Sequence, residues 1–272
     1  MYPTPIRKLG LDDIRRYLLH LETRNLKDTS IKRKMAILKV FFGFCEDEGF
    51  IDDSPTRKLK KKYRMPKRLP RVMSLQEIKA LLKAAYDYSQ IEESSFIFEK
   101  YRGLRDRLII EMLFVTGIRI DELVRLNIAD LDIEARTVII FGKGRKERLI
   151  YISSDEVMGL LSEYLLTRYE YYPDGPEVFL NRFKSRLSVH SIGSIFKRYC
   201  KLAGISRHFT PHCLRHTMAT MLMENGADIR SVQEILGHSR ISTTEIYLTV
   251  SRRRKEEVLK KFNQRNALQI AL

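Results

Sequence analysis

Residues 208–247 run His208-Phe-Thr-Pro-His212-Cys-Leu-Arg215-His216, then through a mainly apolar stretch to Leu236-Gly-His238-Ser239, and on to Ser242-Thr-Thr-Glu-Ile-Tyr247. Pro211 suits the first turn of a helix, where its missing N–H is no loss. His212 and Arg215 then occupy the opening turns of that helix, three residues apart on one face and close to N–H groups that favour an anion. A guanidinium holds a phosphate through paired donors, and an imidazole moves a proton near neutral pH. A tyrosine hydroxyl can attack phosphorus and stay attached. A second guanidinium belongs to Thr116-Gly-Ile-Arg119-Ile-Asp-Glu122-Leu, far upstream. The pattern points to chemistry on a phosphate. His212 and His216, four residues apart, also have the spacing of a metal pair. That alternative needs a further ligand, and Pro211 keeps His208 off the same helix. His216 alone reads as a packing histidine, and Cys213, Met218, Met221 and Met223 read as core. Tyr247 is one of 13 tyrosines, and its place nine residues after His238 is what singles it out.

Working outward, the hydrophobic period changes between Asp130 and Ile152. Thr137–Phe141 and Arg148–Ile152 read as strands, joined by the glycine-rich turn Gly142-Lys143-Gly-Arg-Lys146. A helix is expected from Ser154 to Tyr169, a loop from Tyr169 to Pro176, and a helix from Val189 to Leu202 whose Lys197, Arg198 and Lys201 could enter a major groove. Ser74-Leu-Gln-Glu77 is a capping box ahead of a helix carrying Ile78, Leu81 and Leu82. Leu108, Ile109, Met112, Leu113 and Val115 predict a core helix ending at Gly117, and residues 87–102 read as a loop insertion. In the N-terminal third, Leu11, Ile14, Leu18 and Leu21 recur at helical spacing, as do Ile31, Met35, Leu38, Phe42 and Cys45. Gly49 ends the second helix, and Asp53-Ser54-Pro55 predicts a fresh one. The fold class is therefore mostly α with a small β-hairpin or sheet.

The chain has 272 residues, enough for two modest domains, and its formal net charge of +16 favours a polyanionic partner. The basic residues are uneven. The first 70 residues hold 18 Lys and Arg against 9 Asp and Glu, and residues 57–71 hold nine basic residues and no acid. A charge run can be no more than a solvated segment, but this one joins two apolar-patterned regions. No apolar run is long enough to span a bilayer and no signal peptide opens the chain. Cys45, Cys200 and Cys213 have neither zinc nor disulfide spacing, which suits a reducing cytoplasmic setting.

Five motifs stand in order: Thr116-Gly-Ile-Arg119-Ile-Asp-Glu122-Leu, Phe141-Gly-Lys143-Gly-Arg-Lys-Glu-Arg148, His212-Cys-Leu-Arg215-His216-Thr-Met-Ala-Thr, Leu236-Gly-His238-Ser and Ile246-Tyr247. Together they resemble the tyrosine recombinase (phage integrase) family, most closely its Xer-like branch. The resemblance implies a two-domain DNA clamp. Residues 1–66 would form a helical core-binding domain apparently lacking a first helix, 67–73 the end of a basic, phosphate-tracking linker, and 74–272 the catalytic domain with its tail. Lys32, Arg33, Lys34 and Lys39 would face DNA phosphates. The implied activity is site-specific recombination of double-stranded DNA through a covalent 3′-phosphotyrosine, without ATP, metal or other cofactor. Arg119, Arg215 and His238 would hold the scissile phosphate, and His212 would act as general acid/base toward Tyr247, the nucleophile. Lys143 would protonate the departing 5′ oxygen, with Lys146 as the alternative, and Glu122 would orient a catalytic group. A tetramer is expected in the synapse, with the apolar end Ala267–Leu272 docked on a neighbouring subunit or, alternatively, folded back on its own domain. Rival readings are a type IB topoisomerase-like enzyme, an integrase, a catalytically silent DNA-binding regulator and a metal-dependent nuclease. The task, whether chromosome partition or mobile-element integration, stays open, as does the target sequence.

Overall fold

The computed structural model describes residues 5–59, 71–91, 97–142, 147–237 and 258–268. The chain divides into two compact units, Met1–Leu69 and Pro70–Leu272.

In the first unit, α1 (Leu11–Thr23) and α2 (Asp28–Asp47) follow the apolar spacing. Ile14, Leu18 and Leu21 from α1 meet Ile31, Met35, Phe42 and Cys45 from α2, and Ile51 and Leu59 complete this core. The outer face of α2 carries Lys32, Arg33, Lys34 and Lys39, all exposed. Ile37, Val40, Phe41 and Phe44 are exposed beside them, an apolar set that the sequence pattern did not reveal. The helix expected at Asp53-Ser54-Pro55 is a turn instead, with the N–H groups of Arg57 and Leu59 donating to the carbonyls of Ser54 and Thr56. The competing bonds explain why. Glu46 accepts the Ser54 N–H at 3.2 Å, and the Ser54 and Thr56 hydroxyls pair with each other at 2.9 Å. Most of the basic linker lies outside the described residues.

The second unit opens with the expected capping box. Glu77 accepts the Ser74 N–H at 2.8 Å, and the Ser74 hydroxyl accepts the Glu77 N–H at 3.2 Å. The helices are α3 (Leu75–Ile91), α4 (Ile97–Thr116), α5 (Ile120–Arg125), α6 (Asp155–Tyr171), α7 (Val189–Leu202), α8 (Pro211–Glu224) and α9 (Ile229–Leu236). Residues 87–91 and 97–102 are thus helical rather than a loop insertion. Their polar appearance hides a core. Tyr88 meets the Tyr199 ring edge-on at 5.6 Å, and buried Tyr101 stacks on Tyr171 at 4.6 Å. The Tyr101 hydroxyl is satisfied by Tyr164 at 3.0 Å and by the Leu180 backbone.

Helix α4 runs through the middle of this core, and it buries Arg105, Asp106, Arg107 and Glu111 as well as its apolar residues. Asp106 pairs with Arg105 at 2.7 Å and with Arg198 of α7. Burial pushes the Asp106 carboxyl up, and the two guanidiniums oppose that. Arg198 also covers the rings of Tyr88 and Tyr199, so it ties α7 to α4 rather than standing ready for a groove. The sheet is β1 (Leu131–Asp132), β2 (Thr137–Phe141) and β3 (Glu147–Tyr151), all antiparallel in that order. β1 was not expected, and β3 begins one residue before its predicted start, with Arg148 opposite Ile140.

Residues 258–268 fold back on this same unit. Val258, Leu259 and Leu268 join its core. Arg265 pairs with Glu111 at 2.8 Å and Glu156 at 2.5 Å, and Asn263 donates to the Val115 carbonyl at 2.9 Å. Ala267 and Leu268 therefore belong to their own domain; the last four residues of the tail expected on a neighbour lie outside the described residues. Among the described residues no helix is long and apolar enough to cross a membrane.

Candidate active site

Gly117 ends α4 with φ of 61°, in the left-handed region that glycine enters freely. A Cβ there would lie 2.8 Å from a Leu236 methyl and 3.2 Å from the Met218 sulfur. The missing side chain thus lets α8 and α9 close on the end of α4. Two residues on, Arg119 caps α5, and Glu122 in the first turn accepts its backbone N–H at 3.0 Å. Glu122 is also where side chains converge. Its Oε1 accepts from Arg119 at 2.8 Å and from Arg148 at 2.9 Å, and its Oε2 accepts from Arg148 at 2.6 Å.

Thr210 precedes Pro211, which occupies the opening turn of α8 as expected. Arg215, one turn in, is buried and donates to the carbonyls of Gly117 and Leu236, both at 2.5 Å. It thereby links the residues that precede Arg119 and His238 by two positions each. His212 is exposed, so the two residues expected on one face divide, with the cation buried and the imidazole at the surface. His216 is exposed too, not a packing histidine, and Met223 is exposed rather than core. Partial burial, His212 and Arg215 together lower the His216 pKa. Cys213 and Met218 are buried, as their place in the apolar pattern implies.

The charges explain the chemistry available. Burial alone would raise the Glu122 pKa, but the Arg148 fork, the Arg119 N–H and the surrounding cations hold it at about 2. Burial, then repulsion from Arg119 and Arg148, brings Arg215 down to about 10 against the pull of Glu122. Two guanidiniums thus share one carboxylate and a third, Arg215, stands near with only backbone carbonyls as partners among the described residues, an excess of positive charge suited to a phosphate. Among the described residues no three His, Cys, Asp or Glu side chains stand close enough together to hold a metal ion.

Of the six residues expected to carry the reaction, the structure brings Arg119 and Arg215 together around Glu122, with His212 at the surface of α8. Lys143, His238 and Tyr247 lie outside the described residues, as does Lys146. Sequence reasoning gives Arg148 no part. The signal was present: Arg148 alternates with Ile150 on a strand whose Ile150 is buried, and a cation on a core-facing row requires a partner.

Residues 3–49 match the phage integrase N-terminal SAM-like domain and residues 71–254 match the phage integrase family. A tyrosine recombinase of Agathobacter rectalis is 35% identical over 93% of this chain and 81% of its own length. The tyrosine recombinase XerC of Chlamydia caviae is 36% identical over 93% and 78%. Among solved structures, XerH site-specific recombinase bound to palindromic difH substrate is 26% identical with a TM-score of 0.72, covering 93% of this chain and 72% of that one. The XerA recombinase is 27% identical with a TM-score of 0.54, covering 93% and 83%. With a family domain matched in each unit and relatives above 30% identity along nearly its whole length, the chain belongs to the phage integrase family, among its Xer-like tyrosine recombinases.

Proposed function

We propose that the chain is a site-specific recombinase that cuts and rejoins double-stranded DNA through a covalent 3′-phosphotyrosine at Tyr247. The observation that carries this reading is the convergence of Arg119 and Arg148 on Glu122, with the buried guanidinium of Arg215 near enough to be repelled by both. One carboxylate leaves that cluster short of negative charge, and a scissile phosphate supplies it. Arg119 and Arg215, with His238, bind the phosphate and stabilise the charge that grows on its oxygens as the tyrosine approaches. His212 takes the tyrosine proton. The bond from Tyr247 to phosphorus forms as the bond to the 5′ oxygen breaks, and Lys143 delivers a proton to that oxygen. A 5′-hydroxyl from a second duplex then attacks the phosphotyrosine and releases Tyr247. The energy of the phosphodiester is retained in the covalent link, so no nucleotide cofactor enters the balance. Strand exchange between duplexes calls for several active sites in one synapse, and a tetramer is the assembly that fits. The kinship with a recombinase structure bound to its DNA substrate supports duplex DNA as the partner.

Tyr247→Phe tests the reading. The variant is expected to bind duplex nearly as well as the parent, because phosphate interactions dominate affinity, and to form no covalent adduct on a nicked duplex. A normal adduct yield would rule out Tyr247 as the nucleophile.

A further inference from the structure

We infer that Arg148 is a positioning residue for the reaction: it holds Glu122, and through it Arg119, and it fixes the turn that leads into His238. This rests on the recombinase reading above. Arg148 stands on β3 opposite the buried Ile140, where an arginine needs a partner. It finds that partner 26 residues upstream, giving both terminal nitrogens to the two oxygens of Glu122. This is the bidentate geometry that a lysine could not supply. With the Arg119 backbone and side-chain bonds added, four N–H donors fill Glu122. The carboxylate has no freedom left, so neither has the end of Arg119 that it holds.

Arg148 is itself placed poorly for a phosphate. Its side chain is 10% exposed, against 34% for Arg119, and its fork is already engaged. Its stem instead walls the end of α9. Gly237, at φ of 65°, is so close that a Cβ there would lie 2.9 Å from the Arg148 Cδ and 3.1 Å from its Nε. His238 is the next residue in the chain. One side chain therefore touches the start of α5 and the end of α9 from the strand that follows the Lys143 turn. Arg119 caps the first of these, and His238 and Lys143 lie close in sequence to the other two.

The test uses the full chain and a nicked duplex obtained from a randomised pool by covalent capture on the parent protein. Arg148→Gln, Arg148→Lys, Glu122→Gln and the Arg148→Gln/Glu122→Gln pair are compared by adduct rate in a single turnover, duplex affinity and thermal melting. Arg148→Gln is expected to slow adduct formation about a hundredfold at neutral pH, the usual loss when one transition-state donor is misplaced. Affinity should hold within about threefold, because the phosphate interactions remain. Without the fork, Glu122 protonates at a higher pH than in the parent, so the defect should deepen as pH falls. Arg148→Lys, which keeps the charge but not the fork, should recover the pH profile and only part of the rate, and it serves as the measure if Arg148→Gln does not fold. The double variant should be no slower than the worse single one, because both remove the same link. A parental rate and profile in Arg148→Gln would overturn the inference. So would a rate loss matched by an equal loss of affinity, or one uniform in pH that multiplies with the Glu122→Gln defect. No adduct from the parent chain would instead sink the recombinase reading, and this inference with it.

Discussion

Glu122 is a buried carboxylate kept ionised by its neighbours, which gives the fold a defined acid sensitivity. Its pKa is about 2 in the folded chain against an ordinary 4.5. The ionised form is therefore favoured by folding, and the stabilisation is fully present above about pH 4.5 and lost as pH falls toward 2. It amounts to something on the order of 3 kcal/mol. Glu122→Gln should flatten the dependence of the denaturation midpoint on pH across that window; the same acid slope in both proteins would show that another group is responsible. Arg119 and Arg215 are legible in the sequence because each sits in a short pattern whose local structure places it, one capping α5 and one behind Pro211. Glu122 is legible for the same reason, lying in the first turn of its helix. Arg148 is not. Its partnership depends on the register of β2 against β3 and on how that hairpin meets α5, and no local spacing records either.

Arg265 does for the closing segment of the second unit what a core leucine does elsewhere, but through charge. It is 1% exposed, and Glu111 on α4 is 2% exposed. Breaking such a pair leaves a buried charge without compensation, which costs about 3–5 kcal/mol. Arg265→Leu should lower the melting temperature of the second unit by roughly 10 °C. Pairing it with Glu111→Leu should recover part of the loss, because two apolar groups can replace a buried ion pair. A melting curve unchanged by Arg265→Leu would show that this segment is not held through its ion pair. The same buried charges explain what the sequence concealed. Arg105, Asp106, Arg107 and Glu111 interrupt the apolar period of α4, and the stretch before Leu108 looks like a surface. Tyr88 and Tyr101 likewise read as loop residues until their ring packing is known. The helices with plain apolar stripes, α1 and α2, are read correctly from spacing alone.

The net charge of +16 is a property of the whole chain, yet its densest run lies in residues 57–71. If that run follows DNA phosphates, neutralising Lys60, Lys61, Lys62 and Arg64 should weaken binding equally at all sequences. It should also reduce the slope of log affinity against log salt by about one unit for each phosphate interaction removed. An unchanged slope would make the run a solvated segment only. The two units part between Leu69 and Pro70, within that run; the fold-back of residues 258–268 stays one of two alternatives in the sequence, because its ion-pair partner Glu111 is 154 residues away. That segment also bears on how the protein is made. The chain leaves the ribosome N-terminus first, and domains generally fold as units during synthesis. Tyr247 emerges before residues 258–268 do, while Glu111 still awaits Arg265 and the Val115 carbonyl awaits Asn263. On the reading proposed above, a nascent chain would then carry its nucleophile before residues 258–268 have completed the domain core, and that later segment would license the site. Chains released after Glu257 should form no adduct although Tyr247 is present; an adduct from them would show that α4 and α8 assemble the site without the closing segment.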